Sequence, residues 1–402
     1  MSRNLIVTLN SGSSSLRCGV FARTGGDPEA RLRLSLYDLP ARMTWERKDA
    51  VTGETEVRAL DPPDDPGTAQ EAARAEMLRR LLDEIDEDQI AAMSHRVVHG
   101  GRDHRGPVVT DAAVLADLEA LSPLAPSHQP HNLAAIRAMA ERFPEVPQIA
   151  CFDTAFHRTL SRNDRIFALP KALTEAGVVR YGFHGLSFEN VAEALARTAP
   201  DLASGRVVVA HLGHGVSMCA LKDGKSVATT MGMTALDGLP MGRRPGALDS
   251  GIVLYLIEER GMAPADLRET LYERSGLLGL SGISSEMRDL LDSDEEDAAR
   301  AVDFFVYRCQ REIGSLTAAL GGLDALVMTG GMGEHVPEIR ERICEGLGWL
   351  GVDIDAGANR NGARDLSTAD ARVATMAIPT DEEIVLARHA DGLLRSGDAG
   401  TG

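Results

Sequence analysis

The chain has 402 residues, enough for two domains with full cores. Its formal net charge of −18 excludes a general binder of nucleic acid or of anionic membrane surfaces, and any anionic substrate must meet a local island of arginine and histidine. Hydrophobic residues at 44% and charged residues at 25% are ordinary for a globular protein, and aromatics at only 4% leave the cores to Leu, Val, Ile and Ala.

The first predicted element is a β-branched strand, Leu5-Ile6-Val7-Thr8-Leu9. It breaks into the small polar turn Asn10-Ser11-Gly12-Ser13-Ser14-Ser15 and resumes at 16–21. Such a turn is either a polar hairpin or a phosphate-binding concavity of backbone N–H groups, with Arg17 adding positive charge. Residues 23–66 are charged and interrupted by Pro and Gly, which predicts hairpins and surface loops. Ala73, Met77, Leu81 and Ile85 recur at helical spacing and predict an amphipathic helix over 70–85. A strand at 91–99 ends in Gly100-Gly101, helices follow at 111–121 and 132–142, and a strand at 146–152 delivers Asp153 at its carboxyl end.

The second half repeats the alternation, with a strand at 206–212, helices at 249–260 and 297–320, and a strand at 324–329. This pattern implies helices on parallel or mixed sheets. Val208-Val209-Ala210-His211-Leu212-Gly213-His214-Gly215-Val216-Ser217 runs from strand to glycine turn as the first loop does. Placing Gly12 on Gly215 sets Leu5-Ile6-Val7 over Val208-Val209-Ala210. Two such loops imply a duplicated α/β domain. The expected domains are 1–153 with 384–402, and 154–383, with a frayed tail from 396. Five scattered cysteines without CxxC spacing imply neither disulfides nor zinc and fit a reducing cytoplasm. No apolar run approaches a membrane span, and the first residues are too few for a signal-peptide core.

His95 and His99 invite a metal reading. On a strand, however, residues four apart stand about 13 Å from each other, too far for one ion. Arg96, at a strand end beside two glycines, reads better as an anion ligand. His184 lies between Gly182-Phe183 and Gly185, Arg243 and Arg244 lie in a glycine-rich loop, and Ser285 is a candidate helix cap beside Arg288. Glu382, in Pro379-Thr380-Asp381-Glu382-Glu383, fits either a functional carboxylate or simple electrostatics at a helix N-terminus.

Taken in order, Asn10-Ser11-Gly12-Ser13-Ser14-Ser15, His95-Arg96-Val97-Val98-His99-Gly100-Gly101, Phe152-Asp153-Thr154, Arg180-Tyr181-Gly182-Phe183-His184-Gly185, the 241–249 loop and Thr329-Gly330-Gly331-Met332-Gly333-Glu334 resemble acetate kinases over about residues 4–390. The resemblance implies the duplicated actin/sugar-kinase/Hsp70-like α/β fold, with two domains around a cleft, and a cytoplasmic homodimer joined through the second domain. It implies reversible phosphoryl transfer from ATP to acetate, with Mg²⁺ (or Mn²⁺) held near Asn10 and Glu382. Catalytic work would fall to Arg96, Asp153, His184 and Arg244, with His128 as the family's loop histidine. Val98, Ser127, Phe183 and Ala235 would line the acid pocket. Arg17, His211, Gly213, His214, Gly215, Glu286, Met287, Arg288 and the Gly330-Gly331-Met332-Gly333 turn would hold the nucleotide.

Four departures from the family pattern stand out. Arg17 replaces a usual lysine, His214 a usual asparagine and Arg243 a common threonine, while Ser127 and Ala235 stand where leucine and proline are common. A wider acid pocket would admit propionate or butyrate. The changes at Arg17 and His214 point to the alternative of a weakened paralogue that senses nucleotide or acetyl phosphate.

Overall fold

The computed structural model describes residues 3–12, 15–37, 43–61 and 69–397. They fall into two compact units, Met1–Ala155 with Asp381–Gly402, and Phe156–Thr380. The returning segment thus begins at Asp381, and Glu382 lies in the first unit.

Unit 1 is built on an eight-stranded sheet in the order β5-β4-β3-β2-β1-β6-β8-β7. Its strands are β1 (Leu5–Ser11), β2 (Leu16–Ala22), β3 (Glu29–Tyr37), β4 (Met43–Asp49), β5 (Thr55–Leu60), β6 (Ile90–Val97), β7 (Val108–Val109) and β8 (Gln148–Phe152). Three helices, α1 (Ala69–Glu84), α2 (Ala112–Glu119) and α3 (Gln129–Arg142), precede β8, and a C-terminal helix, Glu382–Ser396, closes the unit. Met77 and Leu81 of α1, Met139 of α3 and Phe143 just after it pack in one core with Val7, Leu9, Leu16 and Trp45. The C-terminal helix lies against β1, β2 and β6. Cover of this kind explains why β1 is an almost unbroken apolar run and not an alternating one.

The charged segment at 23–66 supplies more of the core than its composition predicts. In β3, Leu32, Leu34 and Leu36 are buried while arginine and serine alternate between them, the period-2 pattern of a half-buried strand. Residues 38–42 and 62–68 lie outside the described residues, as do Ser13, Ser14 and 398–402 of the predicted turn and tail; Ser396 itself ends a helix.

Unit 2 repeats the central arrangement. Strands β9 (Arg206–Leu212), β10 (Val216–Lys222), β11 (Lys225–Thr229), β12 (Ala325–Thr329) and β13 (Ala374–Ala377) run in the order β11-β10-β9-β12-β13. This matches β3-β2-β1-β6-β8 in order and in direction. Each has two antiparallel pairings followed by two parallel ones. The duplication is therefore architectural, but its register differs from the one that sequence likeness sets. Aligning the two seven-residue strands end to end sets Leu5–Ser11 on Arg206–Leu212, so Gly12 corresponds to Gly213 and not to Gly215. The hairpins also differ in length, four residues (12–15) joining the first strand pair and three (213–215) the second. In both, the first glycine N–H donates to the carbonyl of the last loop residue, at 2.8 Å for Gly12–Ser15 and 3.2 Å for Gly213–Gly215. Asn10, paired with Arg17, thereby corresponds to His211, paired with Ser217.

Candidate active site in two half-sites

In unit 1 the parallel strands β1, β6 and β8 end side by side, and ligands of open α/β sheets bind outside such carboxyl ends. Four polar side chains meet there. Arg96 donates from Nε to Asp153 Oδ1 at 3.0 Å and from Nη2 to Oδ2 at 2.7 Å, and from Nη1 to Asn10 Oδ1 at 3.2 Å. Asn10 Nδ2 donates to Glu382 Oε2 at 2.7 Å, and Arg96 Nη1 stands 3.6 Å from the same carboxylate oxygen. Burial works against the Arg96 charge, but Asp153 and Glu382 outweigh it and hold the guanidinium pKa above its ordinary value. Asp153 is 1% exposed, and the fork of Arg96, which engages both oxygens, compensates its buried charge. Counting charges, the quartet carries a net −1.

The neighbouring histidines are structural. His95 lies one residue from Arg96 on β6, hence on the opposite face, and its Nε2 bonds Gln148 Oε1 at 2.7 Å. His99 Nδ1 accepts the Gly101 N–H at 2.9 Å. Gln129 and Asn132 of α3, which no motif flagged, brace the same strand ends. Gln129 Oε1 accepts the His99 N–H and Asn132 Oδ1 the Val98 N–H, each at 3.1 Å, while Asn132 Nδ2 donates to Ser11 O at 2.9 Å. Val98 is buried, Ser127 and His128 are half-buried at the start of α3, and Arg17 is exposed on β2.

In unit 2 the corresponding set centres on His184, which precedes the helix Gly185–Thr198 with φ of 57°. A left-handed conformation at a non-glycine residue costs roughly 1–2 kcal/mol, and the surroundings hold it in place. His184 Nδ1 lies 2.7 Å from Ser217 Oγ, and its ring stacks on His211 with centroids 4.4 Å apart. His211 Nδ1 is in turn 2.8 Å from Ser187 Oγ. Beneath them, His157 Nε2 is 2.9 Å from Phe183 O. A carbonyl only accepts, so the proton sits on Nε2 and Nδ1 accepts from Ser226 Oγ at 2.8 Å. Burial pushes the His157 pKa down to about 4, so this ring is a neutral prop under Phe183 and His184.

The loop after β9 approaches His184 closely. A Cβ on Gly215 would stand 2.7 Å from His184 Nε2 and 3.2 Å from Arg244 Nη2, so only glycine lets the backbone pass and the two side chains converge on it. Arg244 Nη1 donates to Ala235 O at 2.8 Å; burial lowers its pKa to about 10, which leaves it charged at neutral pH. Phe183 and Ala235 are buried.

The remaining nucleotide candidates separate by environment. Residues 330–333 are not a turn but the first part of a short helix, Gly330–His335. Gly330, with φ of 78°, packs so tightly on the end of β9 that a Cβ would lie 2.9 Å from the Leu212 carbonyl carbon. Glu334 fastens this start, its Oε1 accepting the N–H groups of Gly330 at 2.9 Å and Thr380 at 3.1 Å. Gly331 is exposed and Met332 half-buried, while Gly333 is buried. Glu286 and Arg288 are exposed, but Met287 turns inward at the start of the helix Met287–Leu291. Ser285 does not cap that helix. The Glu286 N–H instead bonds Ser284 Oγ at 3.1 Å, because the helix begins at residue 287. His214 Nε2 stands 3.6 Å from Glu286 Oε1, and that contact lowers the Glu286 pKa.

A five-strand α/β unit built twice, with polar side chains at the carboxyl ends of the parallel strands of each copy, is the actin/sugar-kinase/Hsp70-like ATPase fold. The sequence profile of the Acetokinase family matches residues 5–388. An acetate kinase of Rhodopseudomonas palustris is 49% identical over 97% of this chain and 99% of its own length, and one of Rhizobium meliloti is 46% identical over 98% and 99%. Among solved structures, Porphyromonas gingivalis acetate kinase superposes with a TM-score of 0.82 at 32% identity, covering 97% of this chain and 100% of its own. A propionate kinase from Francisella tularensis does so with 0.85 at 33%, covering 97% and 99%. The chain belongs to the acetokinase family, whose members are ATP-dependent kinases that phosphorylate a carboxylate.

Proposed function

We propose that this protein transfers the γ-phosphoryl group of ATP reversibly to acetate. A carboxylate oxygen–phosphorus bond forms, the bond from the γ-phosphorus to the β,γ-bridging oxygen breaks, and acetyl phosphate and ADP leave. The observation that carries the reading is the Asp153–Arg96–Asn10–Glu382 network at the strand ends of unit 1, in a chain of this family. Phosphoryl transfer asks for in-line positioning and neutralisation of oxygen charge more than for covalent help. Asp153 fixes the fork of Arg96, which then meets the acid and the moving phosphoryl group bidentately. Arg244 and His184 donate to the phosphoryl oxygens, with Ser217 and His211 holding the imidazole in place. Gly213, His214, Gly215, the 286–288 segment and the Gly330–His335 helix hold the nucleotide.

The donors present suit Mg²⁺. Glu382 offers a carboxylate and Asn10 an amide oxygen, within a quartet of net −1. Among the described residues no cluster of three or more His, Cys, Asp or Glu side chains could cage an ion alone. Few protein oxygens, completed by water and phosphates, is how Mg²⁺ is usually held, and Mn²⁺ accepts similar donors. When bound, the ion would supply charge neutralisation on the ATP phosphates. Among the described residues no helix is long and apolar enough to cross a membrane, and all five cysteines are free and buried, which supports a cytoplasmic site of action. The helix Ser250–Glu258 buries none of its residues and exposes Leu254 and Tyr255 by 55% and 51%, which supports a homodimer joined through this face.

Ser127, half-buried in the first unit where the resemblance leads one to expect leucine, favours a second acceptor, propionate. One added methylene is worth about 1–3 kcal/mol in such a pocket. Comparing kcat/KM for acetate, propionate and butyrate tests the reading. Acetate should lead with propionate close behind, and a propionate preference above about tenfold would reverse the assignment.

A further inference from the structure

Three carboxylates follow one another at the start of the C-terminal helix. The middle one, Glu382, bonds Asn10 and pairs with Arg96. The two that flank it turn to a single guanidinium on β3. Arg33 Nη1 donates to Asp381 Oδ1 at 3.0 Å and to Glu383 Oε2 at 2.8 Å, and Nη2 donates to Asp381 Oδ2. Asp381 Oδ1 also accepts the Ile384 N–H at 3.1 Å, so the residue that binds Arg33 is the N-cap of the helix. The guanidinium carbon of Arg33 lies 5.4 Å from the centroid of the Phe21 ring, and its backbone pairs with Gly19 inside the sheet. Arg33 is therefore anchored from below and grips the helix start at two points.

We infer that Arg33 is a positioning residue: by binding both carboxylates that flank Glu382, it fixes the rotation of the first helical turn and determines which of three consecutive acids is presented to the divalent ion. Without it, the two flanking carboxylates lose the guanidinium they share, while Glu383 still faces the charge of Arg17. The first turn then loses the contact that orients it. Arg33 lies outside every motif that marks the site, in a strand whose composition reads as surface loop. The inference rests on the assignment of Glu382 to the metal.

The test uses the full-length protein and Mn²⁺ as probe, with its affinity for the enzyme–ADP complex measured by electron paramagnetic resonance alongside steady-state kinetics. Arg33→Met is expected to weaken Mn²⁺ binding and to lower kcat, each by about tenfold, as for residues that orient a metal ligand. KM for acetate should stay within about twofold, because that effect acts on the metal side alone. Arg33→Lys should restore part of both losses, since a lysine keeps the charge without the fork. A thermal shift in Arg33→Met with wild-type Mn²⁺ affinity and kcat overturns the inference. If Arg33→Met does not fold, the double substitution Asp381→Asn with Glu383→Gln, which removes the ion pairs and keeps the side-chain shapes, must show the same weakened Mn²⁺ binding, and wild-type binding there refutes the proposal. Glu382→Gln separates the two claims. If it binds Mn²⁺ normally, the metal assignment fails; if it loses Mn²⁺ while Arg33→Met does not, only the role of Arg33 fails.

Discussion

Ser217 is the position where the structure makes its sharpest mutational claim. Its hydroxyl lies 2.7 Å from His184 Nδ1, at the end of the second glycine-loop motif, and His184 is held in a left-handed backbone conformation. Ser217→Ala removes that partner and leaves the rest of β10 unchanged. Loss of such a buried hydrogen bond is worth about 1–2 kcal/mol, which at roughly 1.4 kcal/mol per factor of ten amounts to about 5- to 30-fold. The strain at residue 184, of similar size, adds a reason for the imidazole to leave its place. The loss should appear in kcat for acetyl phosphate formation, followed by hydroxamate trapping, with KM for acetate little changed. Ser217→Thr keeps the hydroxyl and suits a strand, so it should recover most of the rate. A kcat for Ser217→Ala within twofold of the parent would show that Ser217 does not position His184.

Gly215→Ala should lower kcat by about tenfold or more without unfolding the protein, since the new methyl meets His184 and Arg244 side chains and the mismatch is local; wild-type turnover would mean that the two side chains do not work together. Stability should fall in acid. The buried His157 ring titrates near about 4 in the fold against 6.5 when exposed, so the unfolded chain takes up the proton first as pH drops. Its contribution is complete above pH 6.5 and is lost toward pH 4, by about 3 kcal/mol, and urea unfolding of the parent and His157→Gln at pH 7 and 4.5 should show the variant losing less. His214, facing Glu286, places a titratable ring beside the nucleotide residues. KM for ATP should therefore change in His214→Asn, which removes the ring facing Glu286, and an unchanged KM would remove His214 from nucleotide binding.

The parts of this molecule legible in its sequence are those set by local patterns. The 70–85 helix, the strand at 206–212 and the long helix near 297–320 appear as Ala69–Glu84, Arg206–Leu212 and Glu296–Leu320, because their apolar spacing and length leave little room for another state. What stayed hidden depended on partners distant in the chain. Leu32, Leu34 and Leu36 show the period of a strand, yet the surrounding charge disguises it until β2 and β4 are seen on either side. The roles of Gln129, Asn132 and Arg33, and the contact of Ser217 with His184, were not legible because each depends on a partner distant in the chain. The residues of the motifs are grouped by the fold, Asn10, Arg96, Asp153 and Glu382 in one unit and His184, Gly215 and Arg244 in the other.

The central claim is phosphoryl transfer between ATP and acetate. Its most direct test is ³¹P nuclear magnetic resonance of the purified protein with ATP, Mg²⁺ and acetate. Acetyl phosphate and ADP should appear in equal amounts in the parent and at a rate lower by at least about a hundredfold in Arg96→Ala, the size expected when a transition-state charge contact is removed. Free phosphate with ADP and no acetyl phosphate, or acetyl phosphate formed equally well by Arg96→Ala, would contradict the account.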